Sequence, residues 1–299
     1  MSNFPKDGAI TRNPLVTIGI PIYNEERFLS QSLKSLLAQD YNNLKFIVSD
    51  NASTDGTERI CREMLQLDGR IEYRRMECNQ GAVANFRHAL DLADGKYFMW
   101  ASGHDLWQPN YVSECVKLLE REPEAVIAFG SSSWIDALGN PMLRTSGWTD
   151  TRGMDSIARF HSLLWGNVHP ILGLIRMEAL HKTRDLLNTA GTDLILLSEL
   201  ILQGHFVHAA ETSWLRREFR GDENYQQRMA RYSSREYALS RSFIDKLLPL
   251  LRLPVELVRS VLRSKISTSE KLLLLLSLTP VLPAKYLVTR NQQTRNKKT

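Results

Sequence analysis

Carboxylate, amide and imidazole side chains cluster at four places where an apolar, strand-like stretch ends. The clusters are 21–25 (PIYNE), 50–55 (DNASTD), 78–85 (CNQGAVAN) and 102–107 (SGHDLW). Side chains of these types can hold a divalent metal ion, and they can hydrogen-bond a polar ligand. The clusters are therefore the first candidates for a functional site.

The segments around these clusters alternate between strand-like and helix-like patterning. This alternation predicts a mostly parallel, doubly wound α/β sheet flanked by helices. Ligands of such sheets bind beyond the carboxyl ends of the strands, so we expect all four clusters at one edge. The predicted strands are 15–23, 45–50, 71–76, 96–101, 125–131 and 205–210, and the predicted helices are 24–39, about 55–67, 81–93, 109–121 and 193–204, followed by helical patterning over 232–290 that prolines interrupt.

The loop after the first strand excludes two common phosphate-binding devices. It reads PIYNEER (21–27), without the glycines of a GxGxxG dinucleotide-binding turn, and the chain contains no GxxxxGK[ST] P-loop. A diphosphate would therefore have to be held in another way. A carboxylate-bound Mg²⁺ or Mn²⁺ that bridges the phosphates is the usual alternative.

Four motifs in order resemble the inverting glycosyltransferases of family 2, which have the GT-A fold. They are VTIGIPIYNEERFLSQSLKSLLAQDYNNLKFIVSDNASTDGT, NQGAVANFRHALDLADGKYFMW, SGHDLWQPNYV, and GLIRMEAL with GTDLILLSELILQGHF. The resemblance spans roughly residues 15–220. It implies a GT-A-like nucleotide-diphospho-sugar transferase that moves a sugar, with inversion, to a glycan or lipid-linked acceptor in bacterial cell-surface polysaccharide synthesis.

The resemblance assigns contacts with the donor's base and ribose to the first two clusters. Asp50 stands where a family carboxylate accepts a hydrogen bond from the N3–H of uracil or thymine, and Pro21, Tyr23 and Glu25 line the base and ribose. Two alternatives remain open. Asp50 and Asn51 could cap a turn, and Tyr23 could be a core aromatic residue.

The third cluster contains an NxGxxxN pattern formed by Asn79, Gly81 and Asn85. Gly81 permits a tight turn from strand to helix, and Asn85 follows one helical turn later. By resemblance, this segment approaches the pyrophosphate of the donor. The alternative is an asparagine cap followed by a surface asparagine.

The fourth cluster departs from the family pattern. Ser102-Gly103-His104-Asp105 stands in place of a DxD-type metal motif that usually carries two or three acids. The resemblance makes Asp105 the candidate ligand of Mg²⁺ or Mn²⁺. His104 is assigned to the donor site, where it could ligate Mn²⁺ or hydrogen-bond the ribose or sugar. The reduced motif leaves open a non-catalytic protein that binds nucleotide sugars or acts as a scaffold.

The acceptor half contains the candidate base, Asp193, at the start of a predicted helix. It could be an N-cap, whereas the resemblance makes it the carboxylate that takes a proton from the acceptor hydroxyl. Glu199 in the same helix is expected to be structural. In SWLRREFR, which lacks the histidine of the family's RRxH pattern, Arg216, Arg217 or Arg220 could offset the diphosphate charge. Arg217 is assigned to the donor site, the alternative being a solvated basic face.

Basic charge is concentrated near the C-terminus. Residues 241–299 contain twelve basic and three acidic residues (+9), whereas the other 240 contain 26 basic and 30 acidic (−4). The resemblance implies a GT-A catalytic domain at 1–231, with its nucleotide-binding half at about 15–130 and its acceptor half at about 131–231, and the charge distribution adds a basic amphipathic helical extension at 232–299. A nucleic-acid partner is not expected, because the basic residues do not lie on the folded domain.

The C-terminal extension predicts a peripheral membrane contact through 241–290. Its apolar runs are interrupted by Pro280 and Pro283 and are too short to cross a bilayer, so an in-plane helical anchor fits better. The alternative is that these helices cover the catalytic domain or pair with another subunit. With no signal-like N-terminal run and three scattered cysteines, the expected location is cytoplasmic, or peripheral on the inner face of the cell membrane.

Overall fold

The computed structural model describes residues 13–144, 150–166, 169–184, 186–189, 191–220 and 252–295, with side chains through 284. Within these residues nine strands form one sheet. The strands are β1 (Val16–Ile22), β2 (Leu44–Asp50), β3 (Ile71–Arg75), β4 (Tyr97–Trp100), β5 (Leu106–Trp107), β6 (Ala125–Ile135), β7 (Pro141–Met142), β8 (Leu174–Arg176) and β9 (His205–Arg217). The helices are α1 (Leu29–Leu37), α2 (Thr57–Leu67), α3 (Ala82–Asp91), α4 (Tyr111–Arg121), α5 (Ser156–Trp165), α6 (Met177–Leu180), α7 (Thr192–Ile201), α8 (Arg252–Arg263) and α9 (Thr268–Arg295).

The N-terminal half of the sheet is parallel, as the alternating pattern predicts. Its strand order is β3-β2-β1-β4, and every pairing within it is parallel. Ile22 pairs with Asp50, and Asp50 pairs with Arg75, so these strands end side by side. This register brings the first three clusters to one edge of the sheet.

The other half of the sheet differs from the sequence expectation in two ways. β8 lies antiparallel between β4 and β6, and three residues are too few to show a strand period in the sequence. β9 continues beyond the predicted 205–210 to Arg217, parallel to β6, after a register shift near Gly130 and Ser131. The extension matters because it places Arg216 and Arg217 in a strand.

Each face of the sheet carries its own hydrophobic core. Helices α1, α2 and α4 pack on one face. Helices α3, α5 and α7 pack on the other, and α8 and α9 join them through Leu257, Val261, Leu274 and Leu278, all of which are buried. The two C-terminal helices therefore cover one face of the sheet.

The sequence interpretation of the C-terminal prolines needs correction. Pro280 and Pro283 lie inside α9, which continues to Arg295 without an interruption at either proline. The predicted helical stretch at 232–251 lies outside the described residues. In the part of the chain that is described, no helix is long and apolar enough to cross a membrane.

Candidate active site

The loops that follow β1 and β2 are bound to each other at the carboxyl edge of the sheet. The Asn24 backbone N–H donates to Ser53 Oγ (2.9 Å), and the Thr54 N–H donates to Asn24 Oδ1 (2.8 Å). Asn24 (φ 53°) and Ala52 (φ 59°) both adopt the left-handed conformation, which is unfavourable for residues with a side chain. Left-handed backbone outside glycine is often found at functional sites, and here it shapes both loops.

Asp50 lies at the end of β2 and is fully buried. Its Oδ1 accepts from the backbone N–H (2.9 Å) and hydroxyl (2.5 Å) of Ser53, and its Oδ2 accepts from the Tyr73 hydroxyl (2.7 Å). Arg75 Nε lies 3.6 Å from the same Oδ2. The turn-capping alternative is thus observed, and the predicted contact with a nucleobase stays a prediction. Tyr23, at 37% exposure, remains accessible beside this edge.

Asn79 and Gly81 form a tight turn that joins the third cluster to the second. Asn79 Oδ1 accepts from Asn51 Nδ2 (2.9 Å) and from the Gly81 backbone N–H (2.8 Å). Gly81 has φ 87°, a conformation that glycine adopts at little cost, and it immediately precedes α3. The turn therefore sets the N-terminus of α3 beside the strand-end loops, where helix N–H groups can meet an anion.

Asn85 is buried, so the surface-residue alternative is wrong. Its Nδ2 donates to the Ile22 carbonyl oxygen (3.1 Å), and its Oδ1 accepts from the Ser49 hydroxyl (2.6 Å). These bonds tie α3 to the ends of β1 and β2. Its predicted approach to the pyrophosphate stays a prediction.

Glu25, His104 and Asp105 meet where the first and fourth clusters face each other. His104 Nδ1 lies 3.1 and 3.2 Å from the two carboxylate oxygens of Glu25, and Arg220 Nη2 donates to Glu25 Oε1 (3.0 Å). Burial works against the charge of Glu25, but His104 and Arg220 together hold its pKa below the usual value. Glu25 is therefore a charged carboxylate at neutral pH. His104 Nε2 is 4.0 Å from Asp105 Oδ1.

Arg217 holds this turn in place. Its backbone N–H donates to Asp105 Oδ1 (2.8 Å), and its Nε donates to the His104 carbonyl oxygen (3.0 Å). Nη2 donates to Gln31 Oε1 (3.1 Å), and the guanidinium lies 4.5 Å from the Phe28 ring centre. Arg217 is buried, which excludes the solvated-face alternative for this residue. Its predicted contact with the donor diphosphate stays a prediction.

Arg216 faces the opposite side of β9, because successive side chains of a strand alternate. Its guanidinium lies 4.5 Å from the Trp134 ring centre, and the His169 ring is 6.2 Å from that of Trp134. Burial, together with Arg216 and Arg144, lowers the pKa of His169 to about 4, so this imidazole is neutral at pH 7.

Asp193 lies in the first turn of α7, within the predicted acceptor half. The N-cap of α7 is Gly191, in the left-handed conformation (φ 79°), and it makes no side-chain cap bond. The N-cap alternative for Asp193 is therefore wrong. Burial raises the pKa of this carboxyl, and the charge of Arg216 opposes the rise.

Within the residues that the structure describes, no three His, Cys, Asp or Glu side chains are grouped so that they could hold a metal ion by themselves. Asp105 and His104 provide at most two protein ligands. Two ligands are enough for an ion that also binds the donor phosphates and water, as Mg²⁺ usually does in phosphate sites. The donor set thus fits a metal that arrives with a diphosphate.

The sequence profile described as "Glycosyl transferase family 2" matches residues 17–183, more than half of the chain. The chain belongs to this family. The match includes the four strand-end clusters but ends before Asp193, Arg216 and Arg217.

Curated relatives match part of the chain. The putative glycosyltransferase EpsE of Bacillus subtilis is 37% identical over 109 residues, which is 36% of this chain and 39% of EpsE. The putative colanic acid biosynthesis glycosyl transferase WcaA of Escherichia coli is 36% identical over 34% of this chain and 36% of WcaA. The chain thus matches less than two fifths of the length of these relatives.

Solved structures extend the similarity of fold beyond the profile match. TarS 1–349 of S. aureus in complex with UDP-GlcNAc has a TM-score of 0.65 at 15% identity, covering 89% of this chain and 72% of that one. A mannosyltransferase of Pyrobaculum calidifontis in complex with GDP-Man and Mn²⁺ has a TM-score of 0.56 at 16% identity, covering 94% of this chain and 76% of that one. These similarities show a GT-A-like fold.

Three pairings in this family 2 site were missed by the sequence analysis, although Arg220 itself had been considered as a countercharge for the diphosphate. Ser53 and Tyr73 complete the hydrogen bonding of Asp50, and Arg220 pairs with Glu25. Ser53 was detectable, since a residue three positions after an aspartate often closes a turn. Tyr73 and Arg220 gave no such signal, because they approach from a neighbouring strand and from a segment far along the chain.

Proposed function

We propose that this protein transfers a sugar from a nucleotide-diphosphate donor to a hydroxyl group of a glycan or lipid-linked acceptor, with inversion, in the synthesis of a cell-surface polysaccharide. The observation that carries the proposal is the joining of the strand-end loops of Asp50, Asn79 and Asp105 at one edge of a family 2 fold. WcaA, a relative named for colanic acid synthesis, supports the polysaccharide assignment. UDP-GlcNAc and GDP-Man in the similar structures support the donor class.

Asp193 is the proposed catalytic base. Its carboxylate takes the proton of the acceptor hydroxyl while the acceptor oxygen attacks the anomeric carbon of the donor. The bond from that carbon to the diphosphate breaks in the same step, and its electron pair leaves with the nucleoside diphosphate. The raised pKa of Asp193 supports this role, because a more basic carboxylate removes a hydroxyl proton more readily.

The proposed donor site follows the strand-end loops. Asp50 accepts a hydrogen bond from the base, for which it has to share Oδ2 with Tyr73. Pro21, Tyr23 and Glu25 line the base and ribose, and the turn at Asn79–Gly81 faces the pyrophosphate. The exposed ring of Tyr23 supports a stacking contact.

Asp105 is the proposed protein ligand of a divalent ion, Mg²⁺ or Mn²⁺. When bound, such an ion neutralises charge on the departing diphosphate. Arg217 keeps the Asp105 carboxylate in one orientation through its backbone N–H. The Mn²⁺ in the archaeal mannosyltransferase structure supports a divalent ion in this fold. Asp105 and Asp193 together favour catalysis over a binding or scaffold role.

A donor screen tests the proposal. The full chain is incubated with UDP-, GDP- and dTDP-linked sugars and Mg²⁺ or Mn²⁺, and release of nucleoside diphosphate is followed with and without lipid-linked acceptors. We expect turnover of a donor from one nucleotide class. Binding of a donor without turnover under any condition would favour the scaffold alternative, and a complete lack of nucleotide binding would contradict both.

We propose in addition that the protein lies at the cytoplasmic face of the membrane. The supporting feature is an apolar and basic surface on the outward side of α8 and α9, which we call the outer face. Its exposed apolar side chains are Val255, Leu262, Leu272, Leu273 and Leu276, and its basic side chains are Arg259, Arg263, Lys265 and Lys271.

A further inference from the structure

We propose that His104 is a metal ligand, and that together with Asp105 it forms a mixed nitrogen–oxygen site with a preference for Mn²⁺ over Mg²⁺. This inference rests on the proposed function, since the remaining ligands are to come from the donor diphosphate. It goes beyond that proposal by assigning a protein ligand and a metal preference to the position where the family motif usually has an acid.

The first observation is the distance between the two side chains. His104 Nε2 lies 4.0 Å from Asp105 Oδ1. Two ligands about 2.1 Å from one octahedral ion lie about 3.0 Å apart when adjacent and about 4.2 Å apart when opposite, so the observed separation falls within the span of one ion, near its upper end. The His104 side chain is 19% exposed and that of Asp105 is 3% exposed, which leaves the imidazole as the more accessible group.

The second observation is the hydrogen bonding of the imidazole. His104 Nδ1 lies within 3.2 Å of both oxygens of Glu25, and Arg220 Nη2 contacts the same carboxyl group. Carboxyl oxygens at this distance can accept a hydrogen bond from Nδ1–H, and in that tautomer Nε2 carries the lone pair. Metal-binding histidines usually make such a bond through their other nitrogen, because it fixes the ring and makes it a stronger ligand.

The third observation is that both ligands are held before any ion arrives. The Arg217 backbone N–H fixes the Asp105 carboxylate, and Arg217 Nε holds the His104 carbonyl group. Phe219 packs edge-on against the imidazole, with ring centres 5.0 Å apart. Both side chains are therefore positioned by the end of β9 and the residues that follow it.

The chemical consequence concerns which metal is selected. Mg²⁺ prefers oxygen ligands, whereas imidazole suits transition metals. The reduced motif Ser102-Gly103-His104-Asp105 therefore still forms a metal site, but with a different set of ligands. The variant His104→Asp should restore an oxygen-only site, and it should lower the ratio of Mn²⁺ to Mg²⁺ affinity about tenfold or more.

Electron spin echo spectroscopy of bound Mn²⁺ tests the ligand directly. Full-length protein with ¹⁵N-labelled histidine is compared with unlabelled protein, with Mn²⁺ and UDP, GDP or dTDP present. We expect a nitrogen modulation that changes with the label, disappears in His104→Gln and persists in His161→Gln, a matched histidine on α5. Glu25→Gln should weaken Mn²⁺ binding about 10–100-fold.

The possible failures are distinguishable. Nucleotide and Mn²⁺ that bind together without a histidine nitrogen signal would overturn this inference and leave the proposed function standing. A signal that persists in His104→Gln would overturn it as well. If none of the three nucleotides binds, the proposed function fails first. A melting temperature of His104→Gln equal to that of the unaltered protein shows that the variant keeps the fold.

Discussion

Asp193 is the residue on which the proposed chemistry depends most. Replacing it with asparagine keeps the size of the side chain but removes the proton acceptor. We expect the kcat of Asp193→Asn to fall about 10²–10⁴-fold, with donor affinity changed less than about threefold, because the carboxylate acts on the acceptor. Steady-state kinetics and donor titration measure the two quantities.

The matched control is Asp155→Asn, which changes the aspartate that caps α5 by accepting from the Ala158 N–H. This variant should keep its kcat within about twofold. Equal loss of donor binding and kcat in Asp193→Asn would contradict the role as base, since it would point to a general disturbance of the fold.

Arg216 gives a prediction for the pH dependence. Its positive charge favours the ionised form of Asp193 and so lowers a pKa that burial raises. Arg216→Met removes this charge, and the pKa of Asp193 should rise further. The base then becomes protonated at a higher pH, so the acidic limb of the kcat profile should move to higher pH.

The measurement is kcat between about pH 4 and 8, with Arg59→Met as the control. Arg59 is an exposed arginine on α2 that pairs with Glu63, and its removal should leave the limb in place. A limb that stays fixed or moves to lower pH in Arg216→Met would contradict the assignment of this limb to Asp193.

At the level of single residues, the sequence predicted where the site residues lie better than it predicted which groups they contact. Asp50 ends β2, and Asn79 and Asp105 lie in the loops that follow β3 and β4, as the alternating pattern requires. The direction of Arg217 could not be predicted, because adjacent arginines take opposite faces only once they are known to lie in a strand. The sequence pattern ended β9 at 210, whereas pairing with the long strand β6 carries it to 217.

Among the elements, α8 is bound most closely to the proposed chemistry, because it packs against the helix that carries Asp193. Arg184 donates to Glu199 of α7 through Nε (2.5 Å) and to Glu256 of α8 through Nη1 (2.6 Å). Leu253 lies so close to Gly191 that a Cβ there would be 3.1 Å from its Cδ1. Glu199 is thus structural, as expected, and α8 supports both ends of α7.

Breaking this network should affect stability and catalysis together. Arg184→Met leaves two largely buried carboxylates without their shared cation, for which we expect a loss of about 3 kcal/mol in the free energy of unfolding. Because α7 carries Asp193, kcat should also fall at temperatures where the variant is folded. Denaturant unfolding and kinetics measure the two effects.

The control for the network is again Arg59→Met, whose exposed ion pair should contribute less than about 1 kcal/mol. Equal stability of the two variants would show that the Arg184 network does not hold α7. A stability loss without any change in kcat would show that α8 supports the fold but not the position of Asp193.

The parallel half of the sheet was predictable because its strands are apolar runs and its helices are long enough to show a helical period. The antiparallel half was not, since β8 is held by its neighbours rather than by a local pattern. The same reasoning applies to α9, where Pro280 and Pro283 predict an interruption. Packing of Leu274 and Leu278 into the core favours a helix that continues past them.

For the molecule as a whole, the C-terminal helices combine two surfaces. The inner side is part of the core, so a chain ending near Ser240 would lose Leu257, Val261, Leu274 and Leu278 from that core. Such a truncation cannot separate membrane binding from folding. Substitutions on the outer face of the full chain can, because they leave the buried side untouched.

The last prediction concerns the outer face, where Leu272 and Leu276 are 58% and 62% exposed. Lys271 Nζ donates to the Leu262 carbonyl oxygen, which brings the end of α8 next to the start of α9. Each basic residue near an anionic surface contributes on the order of 1 kcal/mol, and the leucines add apolar burial in the headgroup region. We therefore expect the full chain to sediment with phosphatidylglycerol vesicles at low salt.

The double variant Leu272→Glu, Leu276→Glu should lose this binding and keep donor binding, whereas Leu67→Glu, at an exposed leucine of α2, should keep both. If the unaltered chain ignores anionic vesicles at low salt, the outer face does not bind membrane, and self-association of the chain becomes the measurement that explains its exposed leucines.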